Sequence, residues 1–288
     1  MNLSDAKEFC RKYTCQHYEN FTVASWLLPK QIRQNFYPIY SFCRWADDLG
    51  DESPDNESAL VALDDWESQL NDCYSNKTQH PIFIALKPII DKYRIPKSLF
   101  TDLINAFRLD QTKKEYNSRQ ELLDYCKLSA NPVGRIVLHL AQTTDEESLI
   151  LSDKICTGLQ LANHWQDIAR DKRRKTADGN SDLRRYIPLD DMTACGYASE
   201  DFQNEIYNNA FLELMTQLCS WADSYFIEGS QLVERVPRNF RTDIKVFVLS
   251  GRKLLESIRR VKYNVWVKRP TISRWEKLRI IFQAFLGM

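Results

Sequence analysis

Glycine is scarce in this chain, with 8 among 288 residues, and proline adds only 10. A turn-dense β-sandwich or barrel needs more of both, so an all-β fold is disfavoured. The four histidines are dispersed, which argues against zinc, and none has a glutamate three positions before it. That excludes the Glu-x-x-His pairs of a di-iron carboxylate bundle. The eight cysteines form no C-x-x-C and are expected as reduced thiols rather than a disulfide framework. No charge-free apolar run approaches the roughly 18 residues of a membrane span. Met1 to Glu8 lacks the basic-then-apolar build of a secretory signal, so a cytoplasmic protein is expected. There is no G-x-G-x-x-G, and no nicotinamide cofactor is expected. Charge of neither sign is in excess, with 39 Lys and Arg against 39 Asp and Glu, so a general nucleic-acid binder is disfavoured.

What is present is helical periodicity. Apolar residues recur at steps of three and four over 31–52, 58–72, 97–110, 119–140, 147–171, 200–227 and 239–263. Prolines mostly punctuate these blocks, and the polar stretch Lys172–Arg185 is expected as a loop. With no repeat and no linker-like break, residues 1–288 are expected to form a single all-α domain.

Two acidic stripes carry the chemistry. Between Tyr40 and Glu52, four acids fall within six positions: Asp47, Asp48, Asp51 and Glu52. Asp47 and Asp51 lie about 40° apart on one helix face, and Arg44 and Tyr40 continue that face over the two preceding turns. Asp48 points about 100° away from Asp47. Like charges at this spacing repel, so a cation should sit beside them. In the second segment Asn163, Asp167 and Asp171 step by four, flanked by Leu161, Ala162, Trp165 and Ile168. A helix that is apolar except for one polar stripe is expected to bury it against an internal polar site. One such stripe alone is more often a solvated face. Two with matching spacing and only hard oxygen donors suit magnesium held by carboxylates and substrate phosphates.

These stripes, Asp47-Asp48-x-x-Asp51 and Gln160-x-x-Asn163-x-x-x-Asp167-x-x-x-Asp171, resemble the two signatures of the squalene/phytoene synthase family. The resemblance spans roughly residues 15 to 270. It is nearest to the hydroxysqualene synthase branch, through Glu19–Ser25, Ser129–Arg135, Asn163-His164-Trp165-Gln166-Asp167, Arg185–Leu189 and Lys268–Trp275. Two departures from phytoene synthases stand out: Gln166 where they usually carry an arginine, and a less glycine-rich turn at Ser129–Gly134.

The resemblance implies an all-α isoprenoid-synthase bundle around a central hydrophobic cavity. It implies magnesium-dependent ionisation of presqualene diphosphate and capture of the cation by water as hydroxysqualene, on a route to squalene and hopanoids. The alternative is head-to-head condensation of two prenyl diphosphates such as farnesyl diphosphate. A catalytically silent helical subunit is a remote third reading. The metal–diphosphate cluster would comprise Asp47, Asp51, Asn163, Asp167 and Asp171, with Asp48 as a further metal candidate. Substrate-contact candidates are Tyr40, Arg44, Asn20, Phe21, Ser25, Asn131, Trp165, Arg185 and Tyr186. Phe21, Phe36, Phe42 and Trp165 are candidates for lining the cavity, and Asn131-Pro132 with Gly134 is expected to interrupt a helix there.

The zero net charge conceals a polarised chain. Residues 252–288 hold ten Lys and Arg against two Glu, leaving −8 on the first 251 residues. The basic, amphipathic stretch from Ser273 to Met288 suits either contact with an anionic membrane surface or packing as a terminal helix.

Overall fold

Side-chain caps decide where many of the helices begin. Asp55, Ser118, Asp145 and Asn208 each accept a hydrogen bond from the backbone N–H three residues on. Each thereby satisfies a donor that the first helical turn leaves free. The computed structural model describes residues 1–16, 30–175, 179 and 181–286. Its helices are α1 (Leu3–Gln16), α2 (Lys30–Asp51), α3 (Asn56–Tyr74), α4 (Pro81–Tyr93), α5 (Lys97–Thr112), α6 (Arg119–Ser129), α7 (Asn131–Ala141) and α8 (Glu146–Lys172). They continue as α9 (Leu189–Ala194), α10 (Ser199–Gln203), α11 (Asn209–Gly229), α12 (Leu232–Arg235), α13 (Arg238–Arg260) and α14 (Arg274–Leu286). Among the described residues only two isolated bridges interrupt this all-α architecture, and no helix is long and apolar enough to cross a membrane.

Several expectations are corrected. The periodic blocks omit α1 and α4, whose apolar residues pack against each other and against α2. The block 119–140 is two helices broken at Ala130, and 200–227 divides around residues 204–208. Pro38 and Pro88 do not punctuate helices but lie inside α2 and α4. Proline in a helix interior costs a hydrogen bond. Burial of Phe36, Ile39 and Phe42 beside the first, and of Leu86, Ile89 and Ile90 beside the second, offsets that loss. The end of the chain does pack as a terminal helix, through Ile280 and Ala284 against Val246.

Two groups of helices pack together where α5 meets α6 and α7. The first packs α1, α3, α4 and α5 around α2; the second packs α6, α7, α11 and α13 around α8. One continuous apolar core runs through both, from Ala6 to Trp266. Helix α8 comes close to its neighbours because the sequence supplies glycine where contact is tightest. Phe226 of α11 wedges between Gly158 of α8 and Gly251 of α13, and a Cβ on Gly251 would lie 2.1 Å from the Phe226 ring.

Two predictions follow from this packing. Gly251→Ala forces the Phe226 ring out of its slot and lowers unfolding free energy by about 1–3 kcal/mol, readable in urea titration. Asp243 of α13 is 1% exposed and neither carboxylate oxygen has a hydrogen-bond partner. Burial raises its pKa from 3.8 to about 7, with the Arg33 guanidinium opposing. Its contribution is therefore intact below the unfolded pKa and is lost as pH rises toward about 7. Asp243→Asn should stabilise the protein more at pH about 8 than at pH about 5; equal shifts in melting temperature at both would refute it.

Candidate active site

The first stripe occupies the last turns of α2. Arg44 donates to Asp47 at 2.7 Å and also pairs with Asp48. Asp48 further accepts from the Tyr13 hydroxyl of α1, so it braces α1 against α2. This agrees with its position off the stripe. Asp51 is reached by Arg174, and the Arg184 guanidinium lies 3.8 Å away. Burial and the negative charge of Asp51 push the Asp47 carboxyl up to about 6, with Arg44 opposing. Tyr40, one turn before Arg44, is half-buried, and burial raises its hydroxyl pKa.

The second stripe runs along α8. Asn163 is exposed. Asp167 accepts two hydrogen bonds from Arg269, one of them at 3.0 Å. Asp171 is pushed up to about 7 by burial and by the charge of Asp167, against Arg170, Arg174 and Arg184. The stripe is therefore half-buried at Asp167 and Asp171 and exposed at Asn163, rather than internal along its length.

A short connection beyond α8 brings the two stripes together. The Arg184 backbone N–H donates to the Asp171 carbonyl at 3.1 Å. Its guanidinium stands 3.7 Å from Asp110 of α5 and 3.5 Å from Asp182. Asp110 is buried, accepts from the Tyr125 hydroxyl at 3.1 Å, and is raised to about 6 chiefly by burial. Asp182 is tied to Arg174 at 2.9 Å and to Lys114 at 2.6 Å. The site is thus an alternation of carboxylates and arginines that belong to distant parts of the chain.

The expected substrate contacts divide. Arg185 turns away from the carboxylates: it pairs with Glu115 at 2.9 Å and lies over the Phe202 ring. Its neighbour Arg184 is the one that enters the site. Tyr186 stacks on His164 with ring centres 3.7 Å apart, and Tyr116 and Tyr125 complete an aromatic wall. Burial lowers the His164 pKa to about 3, so it serves as a neutral flat ring. A gap of about 10 Å³ beside His164, Asp171, Arg184, Arg185 and Tyr186 has room for roughly one water. Trp165 is wholly buried in the core, its indole N–H donating to the Leu218 carbonyl at 3.1 Å. Phe42 packs among Trp66, Phe83 and Phe100, and Phe36 is likewise buried in the core. Asn131 starts α7 and accepts from the Thr157 hydroxyl at 3.0 Å, fastening α7 to α8. Asn20, Phe21 and Ser25 lie outside the described residues.

Sequence reasoning missed Asp110, Arg174, Arg184 and Arg269. Only Arg184 carried a local signal, being adjacent to the arginine chosen; the others become partners only through the fold. No group of three or more metal-ligating side chains converges among the described residues. The donor chemistry nevertheless fits a divalent cation, because magnesium commonly takes one or two carboxylates and completes its shell with phosphate oxygens and water.

A profile described as "Squalene/phytoene synthase" matches residues 14–276. The chain belongs to the squalene/phytoene synthase family. This family processes isoprenyl diphosphates in head-to-head condensation chemistry. A hydroxysqualene synthase from Rhodopseudomonas palustris is 33% identical over 236 residues, covering 81% of this chain and 76% of that one. A phytoene synthase from Arthrospira platensis is 27% identical over 284 residues, covering 96% and 91%. Among solved structures, squalene synthase HpnC from Alicyclobacillus acidocaldarius superposes with a TM-score of 0.83 at 37% identity, over 91% of this chain and 96% of that one. The described residues share the all-α fold of that solved structure.

The geometry separates the two adjacent arginines. Arg184→Ala should lower diphosphate release by about a hundred-fold or more, the scale of losing a preorganised electrostatic contact. Arg185→Ala should cost much less turnover and act on melting temperature instead. Equal kinetic losses in the two variants would refute the assignment.

Proposed function

We propose that this chain is a magnesium-dependent synthase that converts presqualene diphosphate and water to hydroxysqualene and diphosphate, within a single synthase domain. The observation that carries the choice within the family is Gln166. Its amide N–H donates to the Pro270 carbonyl, and its amide oxygen accepts from Arg269 at 3.1 Å. An arginine at this position has no acceptor to offer Arg269 and would add like charge beside it. By the resemblance, phytoene synthases usually carry an arginine here and act on two diphosphates, so the neutral Gln166 implies one cation fewer at this position. A substrate with one diphosphate matches that count. The 33% identity to a hydroxysqualene synthase supports the same choice.

Under this reading Asp47 and Asp51 on α2, with Asn163, Asp167 and Asp171 on α8, hold the magnesium ions. When bound, magnesium neutralises charge on the diphosphate oxygens and makes diphosphate a better leaving group. Arg44, Arg174, Arg184 and Arg269 stand close enough to exchange carboxylate partners for phosphate oxygens. The bond from carbon to the bridging oxygen breaks with its electron pair leaving on diphosphate. Water then adds to the rearranged cation, and its extra proton passes to diphosphate or solvent. Because oxygen terminates the reaction, no nicotinamide is required. The aromatic faces of Tyr186 and neutral His164 offer electron density without a competing positive charge. Tyr40 and Asn131 are polar candidates at the edges of this region, and Asp48 acts as a brace for α2.

The competing reading, condensation of two prenyl diphosphates, is favoured by the whole-chain similarity to phytoene synthases. Purified protein given presqualene diphosphate and Mg²⁺ should yield hydroxysqualene; presqualene diphosphate or phytoene made from prenyl diphosphates would select the competitor. Asp47→Asn and Asp167→Asn should each lower turnover by about a hundred-fold or more. Unchanged Mg²⁺-dependent turnover in both would sink the metal assignment.

A further inference from the structure

Helix α14 presents a second, unpartnered face. Its inner side is fixed: Ile280 and Ala284 are buried against Val246, with Leu249 and Ile272 around them. Glu276 is turned inward, where Arg260 binds it at 2.7 Å and Lys253 at 3.4 Å. Ser273 and Glu276 also cap the helix reciprocally, each side chain accepting from the other's backbone N–H. The orientation of α14 on α13 is therefore set, and so is the side it turns outward.

That outward side carries Trp275, Leu278, Phe282 and Phe285, spaced by three, four and three residues. They are 81%, 57%, 64% and 64% exposed. Such a run of large apolar side chains on one exposed stripe is uncommon on a soluble surface. At about 100° per residue, Arg274 borders the stripe on one edge and Arg279 on the other. Lys277 is also exposed, and the helix's one acid is the inward Glu276.

We propose that this face docks on an anionic lipid bilayer, with α14 lying in the interface plane. The commitment rests on charge complementarity. The stripe is edged only by cations, and residues 252–288 carry ten Lys and Arg against two Glu. A two-fold pairing of this face with a second copy would set arginine against arginine, which costs free energy. An anionic leaflet instead attracts these cations, and tryptophan and phenylalanine partition to the headgroup boundary. At 13 residues α14 is about 20 Å long, which suits lying on a bilayer and is too short to cross it. The proposal concerns attachment and does not depend on which prenyl substrate the site takes.

The test is co-sedimentation of the full chain, without substrate, with vesicles of phosphatidylglycerol and phosphatidylcholine or of phosphatidylcholine alone. Binding is expected to the anionic vesicles and to weaken at about 1 M salt. Trp275→Ser combined with Phe282→Ser should lower it by at least about ten-fold, since both the apolar and the electrostatic term are needed. Both residues are exposed, so the melting temperature should be unchanged. Failure of the parent chain to bind anionic vesicles, or equal binding by the double variant, overturns the proposal. So does a dimeric parent that becomes monomeric on substitution and ignores vesicles, because a second copy would then own the face.

Discussion

The site depends on one guanidinium. Arg184 stands among Asp51 of α2, Asp110 of α5 and Asp182, while its backbone N–H is held by the carbonyl of Asp171 on α8. The carboxyls of Asp110 and Asp171 are raised to about 6 and about 7, chiefly by burial. The Arg184 guanidinium opposes that rise at both carboxyls. Arginine does not lose its proton at any ordinary pH, so it is a constant counter-charge to the cluster. Desolvating it is expensive, and only several partners in good geometry offset the cost. The same residue links the ends of α2, α5 and α8, so the site's electrostatics and the packing share one interaction.

An acid cluster neutralised by arginines is suited to exchange. Under the proposed function, a divalent cation at the carboxylates would free Arg44, Arg174 and Arg269 to donate to a diphosphate, and positive charge already in place near a leaving group is how preorganised electrostatics lowers a barrier. On the other side, neutral rings face the site. His164 stands where the related branch carries phenylalanine, and burial makes it behave as one, because a pKa lowered to about 3 keeps the imidazole uncharged.

Sequence periodicity revealed whatever was local. The two stripes, the all-α class and most of the long helices followed from residue spacing, since a helix converts steps of four into one face. Helices α1 and α4 were not legible in the same way. Pro81 and Pro88 sit in α4, and its stability comes from packing that a short window does not contain. The expectation named Arg185, and the fold places its neighbour Arg184 closer to the carboxylates. Both arginines are buried, and only their tertiary partners separate them: Glu115 and Phe202 for Arg185, the carboxylates for Arg184. Trp165 and Phe42 were ambiguous for a related reason, because an aromatic on an apolar helix face fills a core as readily as a cavity. Asp110 and Arg269 lie far in sequence from either stripe, so no spacing rule could assign them.

Gln166 shows how one substitution can alter both architecture and chemistry. Its amide can donate and accept at once, and here it does so to neighbouring groups in the chain's basic final segment. Holding the Pro270 carbonyl fixes that segment against α8 and delivers Arg269 to Asp167. A cation at position 166 would bring more charge to the site and would forfeit the acceptor that orients Arg269. The basic excess of residues 252–288 is thereby divided between two tasks: Arg269 faces the carboxylates, while Arg274 and Arg279 edge the exposed stripe of α14. A chain with no net charge has in this way separated its acids and bases, with acids concentrated on the first stripe and bases in the final segment.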